Sequence, residues 1–262
     1  MTAAAAARAD GLSAPELLAT LAADRATGAL TTRSGVFYLA AGHVVHVESA
    51  HSPDFGDLLT RSGALAPAGW WEAVERAGAR QLVGRQLVDS GRLTTGALEL
   101  AHLGALFDAA YFALAHDGTA LRFRPGVAHW LGAVRPVPVA TVLRESDRRR
   151  DLLERIWPDP AVDTAPLTRT PDADPAALPP RRGRALALVD GGRTAAQIAS
   201  VLAHRTFHIL VELRRLAADG LVAPAPPAPA PPVHTVPGAG RADWDEPDTA
   251  LLRRLLDALE AL

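Results

Sequence analysis

Arginine supplies the charge chemistry of this chain: all 27 of its basic residues are arginine, and it contains no lysine. Seven arginines lie between Arg181 and Arg215 against Asp190, Glu212 and Asp219, a net +4 in a protein of formal charge −2. That local positive balance suits an anionic partner such as nucleic acid. Arg205 and Thr206 stand at a predicted helix start, where free N–H groups and the positive end of the dipole hold phosphate. His208 follows in the first turn of the same predicted helix. Arg214 and Arg215 come two turns later, nearer phosphate than base, and Arg193 adds charge ahead of the preceding helix. Arg193, Arg205, Thr206, His208, Arg214 and Arg215 are therefore the candidate DNA-binding residues.

Nine histidines and no cysteine pose the metal question. His43 and His46, three apart on a predicted strand, fall on opposite faces. His51 sits in a loop, and Glu48 is the nearest carboxylate. No H-E-x-x-H, no H-x-H and no cysteine partner is present, so no metal site is expected. His102 and His116 are expected at the surface or as satisfied core residues. A phosphate loop of the G-x-x-x-x-G-K-[ST] type needs lysine, and no G-x-G-x-x-G after a strand or G-x-S-x-G elbow occurs. Asp147 and Asp151 lie one turn apart, but arginines surround them. The expectation is no catalytic residue, no cofactor and no enzyme activity. Trp70, Trp71 and Trp130 suit stacking on single strands; yet helical neighbours diverge by about 100°, which puts one of Trp70 and Trp71 in the core.

The elements that must position these residues are legible. A hydrophobic share of 48%, inflated by alanine, suffices for small cores and excludes wholesale disorder. Ser13, Pro15 and Glu16 open a helix with a capping box. Alternation then predicts an antiparallel meander over Gly28–Thr32, Val36–Leu39 and His43–Glu48. Phe55–Leu65 and Val83–Leu93 repeat at an offset of 28, sharing Gly, Leu, Ser, Gly and Leu at matching positions. Each unit reads as a short helix, a Ser-Gly cap and a second helix, too short to stand alone and paired as a small bundle. A strand at Leu121–Arg124 and a helix over Val139–Trp157 follow, the latter with a mixed charge run expected to be a solvated face.

Residues 12–123 resemble the PatA-type N-terminal domain, a bacterial family found in signalling and gene-regulation proteins. The likeness rests on Gly28, Leu30, Gly35, Val36, Tyr38, Gly42, Val44, Val45 and Ser49 and on the helical repeat. The repeat phrase is also similar to helical N-terminal domains of secretion and pilus-assembly ATPases. The resemblance implies a fold and carries no catalytic residues. Residues 181–223 resemble the winged helix-turn-helix of bacterial regulators through Asp190-Gly191, Arg193-Thr194, Ile198-Ala199, Phe207, Leu210, Leu213 and Gly220-Leu221-Val222. Such domains also serve as protein-docking modules, and this one has an apolar recognition helix and scarcely any wing.

Proline density predicts the boundaries. The expected organisation is α+β: a PatA-type domain at 12–157 with the helical repeat at 55–116, a linker at 158–180, a separate winged-helix domain at 181–223, a linker at 224–248, and an amphipathic helix at 249–262. Leu251, Leu252, Leu255, Leu256 and Leu259 form the stripe of that last helix, suited to self-association or a partner. No apolar run spans a membrane, and no signal peptide is evident, so a cytoplasmic protein is expected. The leading functional expectation is a transcriptional regulator that binds double-stranded DNA. The alternative is a signalling adaptor using protein contacts throughout, with small-GTPase or roadblock-type partners implied by the family resemblance.

Overall fold

A computed structural model describes residues 12–115 and 121–225. It is a mixed helical and antiparallel-sheet protein whose described residues form one compact unit. The expected amphipathic helix and most of the second linker lie outside the described residues.

Helix α1 (Ala14–Ala23) starts at the expected capping box, Ser13 and Glu16 each bonding the other's backbone N–H. Strands β1 (Gly28–Thr31), β2 (Gly35–Ala40) and β3 (His43–Ser49) form the meander. With β4 (Arg122–Pro125) and β5 (Val137–Pro138) they make an antiparallel sheet of order β4-β1-β2-β3-β5.

Strand β3 departs from simple alternation. Val44 pairs with Leu39 and His46 with Tyr38, leaving Val45 as an unpaired bulge residue. His43, opposite Ala40, and His46, opposite Tyr38, thus share a face. The opposite-face expectation for His43 and His46 is corrected by that one extra residue.

The helical repeat forms as α2 (Phe55–Arg61), α3 (Pro67–Ala77), α4 (Val83–Asp89) and α5 (Thr95–Ala113). Both Ser-Gly ends are alike. Gly63 and Gly91 take positive φ of 76° and 71°, and the N–H groups of Leu65 and Leu93 return to the carbonyls of Leu59 and Leu87. Trp70 is buried beside Phe55 while Trp71 is exposed, as helical divergence requires. Helix α6 (Val139–Ile156) then crosses back. A first core lies between the sheet and α1, α5 and α6, with Leu18, Phe37 and Leu106 at its centre. A second fills the repeat around Leu59, Trp70 and Leu87.

The segment expected as an open linker, 158–180, is built into the fold. It forms α7 (Ala161–Thr164), β6 (Leu167–Arg169) and a 3-10 turn at Pro175–Ala177. Pro160, Pro175, Pro179 and Pro180 sit at N-cap and first-turn positions, where a missing N–H costs nothing. Beyond it come α8 (Pro180–Ala187), α9 (Ala195–Leu202), α10 (Thr206–Ala218) and β7 (Val222–Pro224), which pairs antiparallel with β6. The third core is shared: Tyr111 and Phe112 of α5 and Leu153 of α6 pack with Leu186, Ile198, Phe207 and Leu213. The three C-terminal helices are therefore continuous with the body. Among the described residues no helix is long and apolar enough to cross a membrane.

Candidate functional site

The first turn of α10 is where DNA contact was expected, and its first two backbone N–H groups and the Thr206 side chain are turned inward. An α-helix begins with backbone N–H groups that have no partner within the helix. Arg205, at the N-cap, supplies no side-chain acceptor. Asp108 of α5 supplies it instead, its two carboxylate oxygens accepting the N–H groups of Thr206 and Phe207, each at 2.9 Å. Asp108 is 1% exposed. Burial dominates its protonation and pushes its pKa up to about 6, against the two N–H bonds and the Arg149 and Arg205 charges. Arg149 of α6 lies 3.8 Å from Asp108, bonds Glu145 at 2.9 Å, and stacks over the Phe207 ring at 4.6 Å.

The six candidate residues divide between interior and surface. Thr206 is 1% exposed and its hydroxyl has no partner. Arg214 is 4% exposed, gripping Asp163 of α7 through two bonds of 2.8 and 2.6 Å and also donating to the Trp157 carbonyl. Arg205 is half-buried, its guanidinium against Gly104 of α5, where a Cβ would lie 2.1 Å from Cζ. Arg193 pairs with Asp190 at 2.7 Å and Arg215 with Glu212 at 3.1 Å, both at the surface. His208 is exposed. A helix that reads a groove presents its first residues outward. In this arrangement Thr206 and Arg214 cannot reach a duplex, because they are spent on Asp163, Trp157 and the apolar core. Arg193, His208 and Arg215 remain outward and are not converged on one site.

Sequence reasoning missed Asp108 and Arg149. Asp108 lies within an apolar helical run (Leu106-Phe107-Asp108-Ala109-Ala110), and a lone acid there is the signal that could have flagged it. Arg149 was absorbed into a charge run whose other arginines are indeed more exposed.

A second polar cluster sits beside β3. The bulge aims His46 at His102 of α5, with Nδ1 and Nε2 3.2 Å apart, and the ring of His129 stacks on His46 at 4.0 Å and 19°. His129 Nδ1 accepts the Leu131 N–H at 3.3 Å, so its Nε2 carries the proton and donates to Glu48 at 3.0 Å. Tyr38 also donates to Glu48, at 3.1 Å. Burial holds His46 well below the ordinary imidazole range and His102 at about 4. The His129 bond lowers Glu48, while burial and then Glu48 push Tyr38 up to about 12.

His46, Glu48 and His129 bring donor atoms within 4.8 Å of one another, a spacing that invites a metal ion. The ring geometry opposes it. An ion must lie in the plane of each imidazole it uses, about 2 Å from the nitrogen. Planes stacked 4.0 Å apart and inclined by 19° do not meet at such a point. The protonated Nε2 of His129 and the Leu131 N–H at Nδ1 are also the reverse of what a ligating histidine needs. The cluster is a hydrogen-bonded aromatic core tying α5, β3 and the His129 loop together. No family model, no curated protein and no solved structure matches this chain.

Proposed function

We propose that the chain is a non-enzymatic, cytoplasmic regulatory protein working through protein contacts. In this reading a winged-helix-like unit at 181–223 is held against a PatA-type module by the Asp108 cap. The order α8, α9, α10, β7, with β6 completing a two-stranded ribbon, supports the winged-helix assignment. The observation that carries the reading is the capping of Thr206 and Phe207 by Asp108: it occupies the helix end that a DNA reader must present. A second reading, DNA binding after release of the unit, is favoured by the exposed Arg193, His208 and Arg215.

Fluorescence anisotropy on mixed genomic duplex at two salt concentrations tests both. The full-length protein is expected to bind no tighter than about 10 µM even at low salt, within the range of non-specific contact. Asp108→Ala, which uncaps α10, is expected to gain salt-sensitive affinity if release exposes a DNA reader. Micromolar or tighter binding by the unaltered chain, lost on Arg205→Ala and weakened by salt, overturns the protein-contact reading.

A further inference from the structure

We propose that the cleft between α2, α5 and the α9–α10 corner binds a phosphate or phosphomonoester group. The cleft encloses about 290 Å³. Its polar wall is Ser62, Arg181, His204, Arg205, His208 and Glu212, and Leu59 and Ile209 are part of its apolar wall. Four basic side chains thus face one space with one acid, and that acid is already held by Arg182 at 3.5 Å and Arg215 at 3.1 Å.

The two arginines of that wall are uncommitted. Among the described residues Arg181 and Arg205 make no ion pair within 4 Å, whereas Arg182, Arg193, Arg214 and Arg215 each do. Arg205 feels Asp108, but that carboxylate is occupied by two backbone N–H groups and faces Arg149 as well. Desolvating a guanidinium without a bidentate partner is unfavourable, and a tetrahedral oxyanion offers the oxygen pair that fits its fork. The local field agrees: after burial, Arg205, Arg149, Arg181 and His204 all act to lower His208. Gly104 is what admits Arg205 to this position, since a side chain there would occupy the guanidinium's place.

Size narrows the ligand class. The volume lies at the lower limit of small-molecule sites, roughly 300 Å³ and above, so a small phosphorylated compound fits. The walls come from both the repeat (Leu58, Ala101) and the C-terminal helices (Arg181, His208), so an occupant favours the docked arrangement over any released one. The inference rests on that docked arrangement and is indifferent to whether the released unit reads DNA.

Isothermal titration calorimetry on the full-length protein provides the test, with sodium phosphate and phenyl phosphate as probes against sodium chloride of equal ionic strength. Saturable 1:1 binding of either probe, weakened at least tenfold by Arg181→Gln and by Arg205→Gln, is the expected result. Tighter binding of phenyl phosphate identifies an esterified ligand and equal binding a free phosphate; both support the site. Arg181 is exposed, so Arg181→Gln leaves folding intact and decides the matter should Arg205→Gln misfold by circular dichroism. No heat beyond the chloride control up to about 10 mM probe, or binding indifferent to Arg181→Gln, overturns the proposal. Neither result depends on the anisotropy outcome, so the two readings fail separately.

Discussion

The Asp108 carboxylate caps the helix that begins at Thr206, accepting that residue's N–H at 2.9 Å across 98 positions of sequence. N-caps are usually local; this one joins two parts of the chain whose composition suggests separate domains. It couples the end of α10 electrostatically to α5 and, through Arg149, to α6.

Removing that cap has a sizeable cost. Asp108→Ala leaves two buried N–H groups unsatisfied and takes the acid from between Arg149 and Arg205. Cap loss alone costs about 1 kcal/mol, and uncompensated buried charge raises the total to roughly 3 kcal/mol. Asp108→Asn keeps one acceptor but not the charge and is expected to cost less than Asp108→Ala, about 2 kcal/mol. Urea unfolding followed by circular dichroism measures both; an Asp108→Ala loss under about 0.5 kcal/mol contradicts the cap's importance.

The dependence on pH has two opposing parts. His46 and His102 are held below the ordinary value of 6.5, His102 at about 4. Between those values the unfolded chain takes up protons that the folded chain refuses, so stability falls as pH drops from about 6.5 to 4. Asp108 titrates near 6 in the fold against 3.8 ordinarily. The folded chain keeps that proton longer, so its contribution falls as pH rises from about 4 to 6. Two histidines outweigh one carboxylate, and net stability should drop on acidification from pH about 7 to about 5. His102→Phe should shrink that drop, and Asp108→Asn should enlarge it; unfolding midpoints at the two pH values discriminate.

Arg214 and Asp163 form a buried pair, with Arg214 4% exposed. Asp163→Ala strands a guanidinium against the core and is expected to cost roughly 3–5 kcal/mol. Replacing both partners with apolar residues (Arg214→Met with Asp163→Leu) should cost clearly less than Asp163→Ala alone. A double-mutant cycle by thermal or urea unfolding checks it, and additive losses would argue against direct coupling.

The repeat glycines separate into two kinds. A Cβ on Gly56 would lie 2.4 Å from the buried Trp70 ring, so Gly56→Ala should cost about 1–3 kcal/mol through overpacking. Gly63 has open space around it but φ of +76°, so Gly63→Ala pays a backbone strain of about 1 kcal/mol with no packing change. Thermal unfolding that reverses this order would contradict the packing of α2 on α3.

Local chemistry was readable directly. The capping box at Ser13–Glu16, the meander, the twin Ser-Gly caps and the Trp70/Trp71 division all depend on neighbours within a few residues, and each appears where its residues predict it. The bulge at Val45 escaped because one inserted residue is invisible to alternation in a short strand, and it redirected His46. His102 and His129 join His46 from positions 56 and 83 residues away, a convergence no spacing rule anticipates.

The amino-acid order by itself marked most of the helices and strands outside 158–180, because capping, periodicity and turn geometry act over a single turn or hairpin. It also determined that charge is carried by arginine and that residues 181–215 are basic. Only the tertiary structure decided what those arginines face. Asp108 and Asp163 lie 98 and 51 positions from the groups they bind, and folding brought them there by closing one shared core around Tyr111, Leu153 and Phe207. That core covers the first backbone N–H groups of α10 together with Thr206 and Arg214, and it leaves Arg181 and Arg205 facing a cleft.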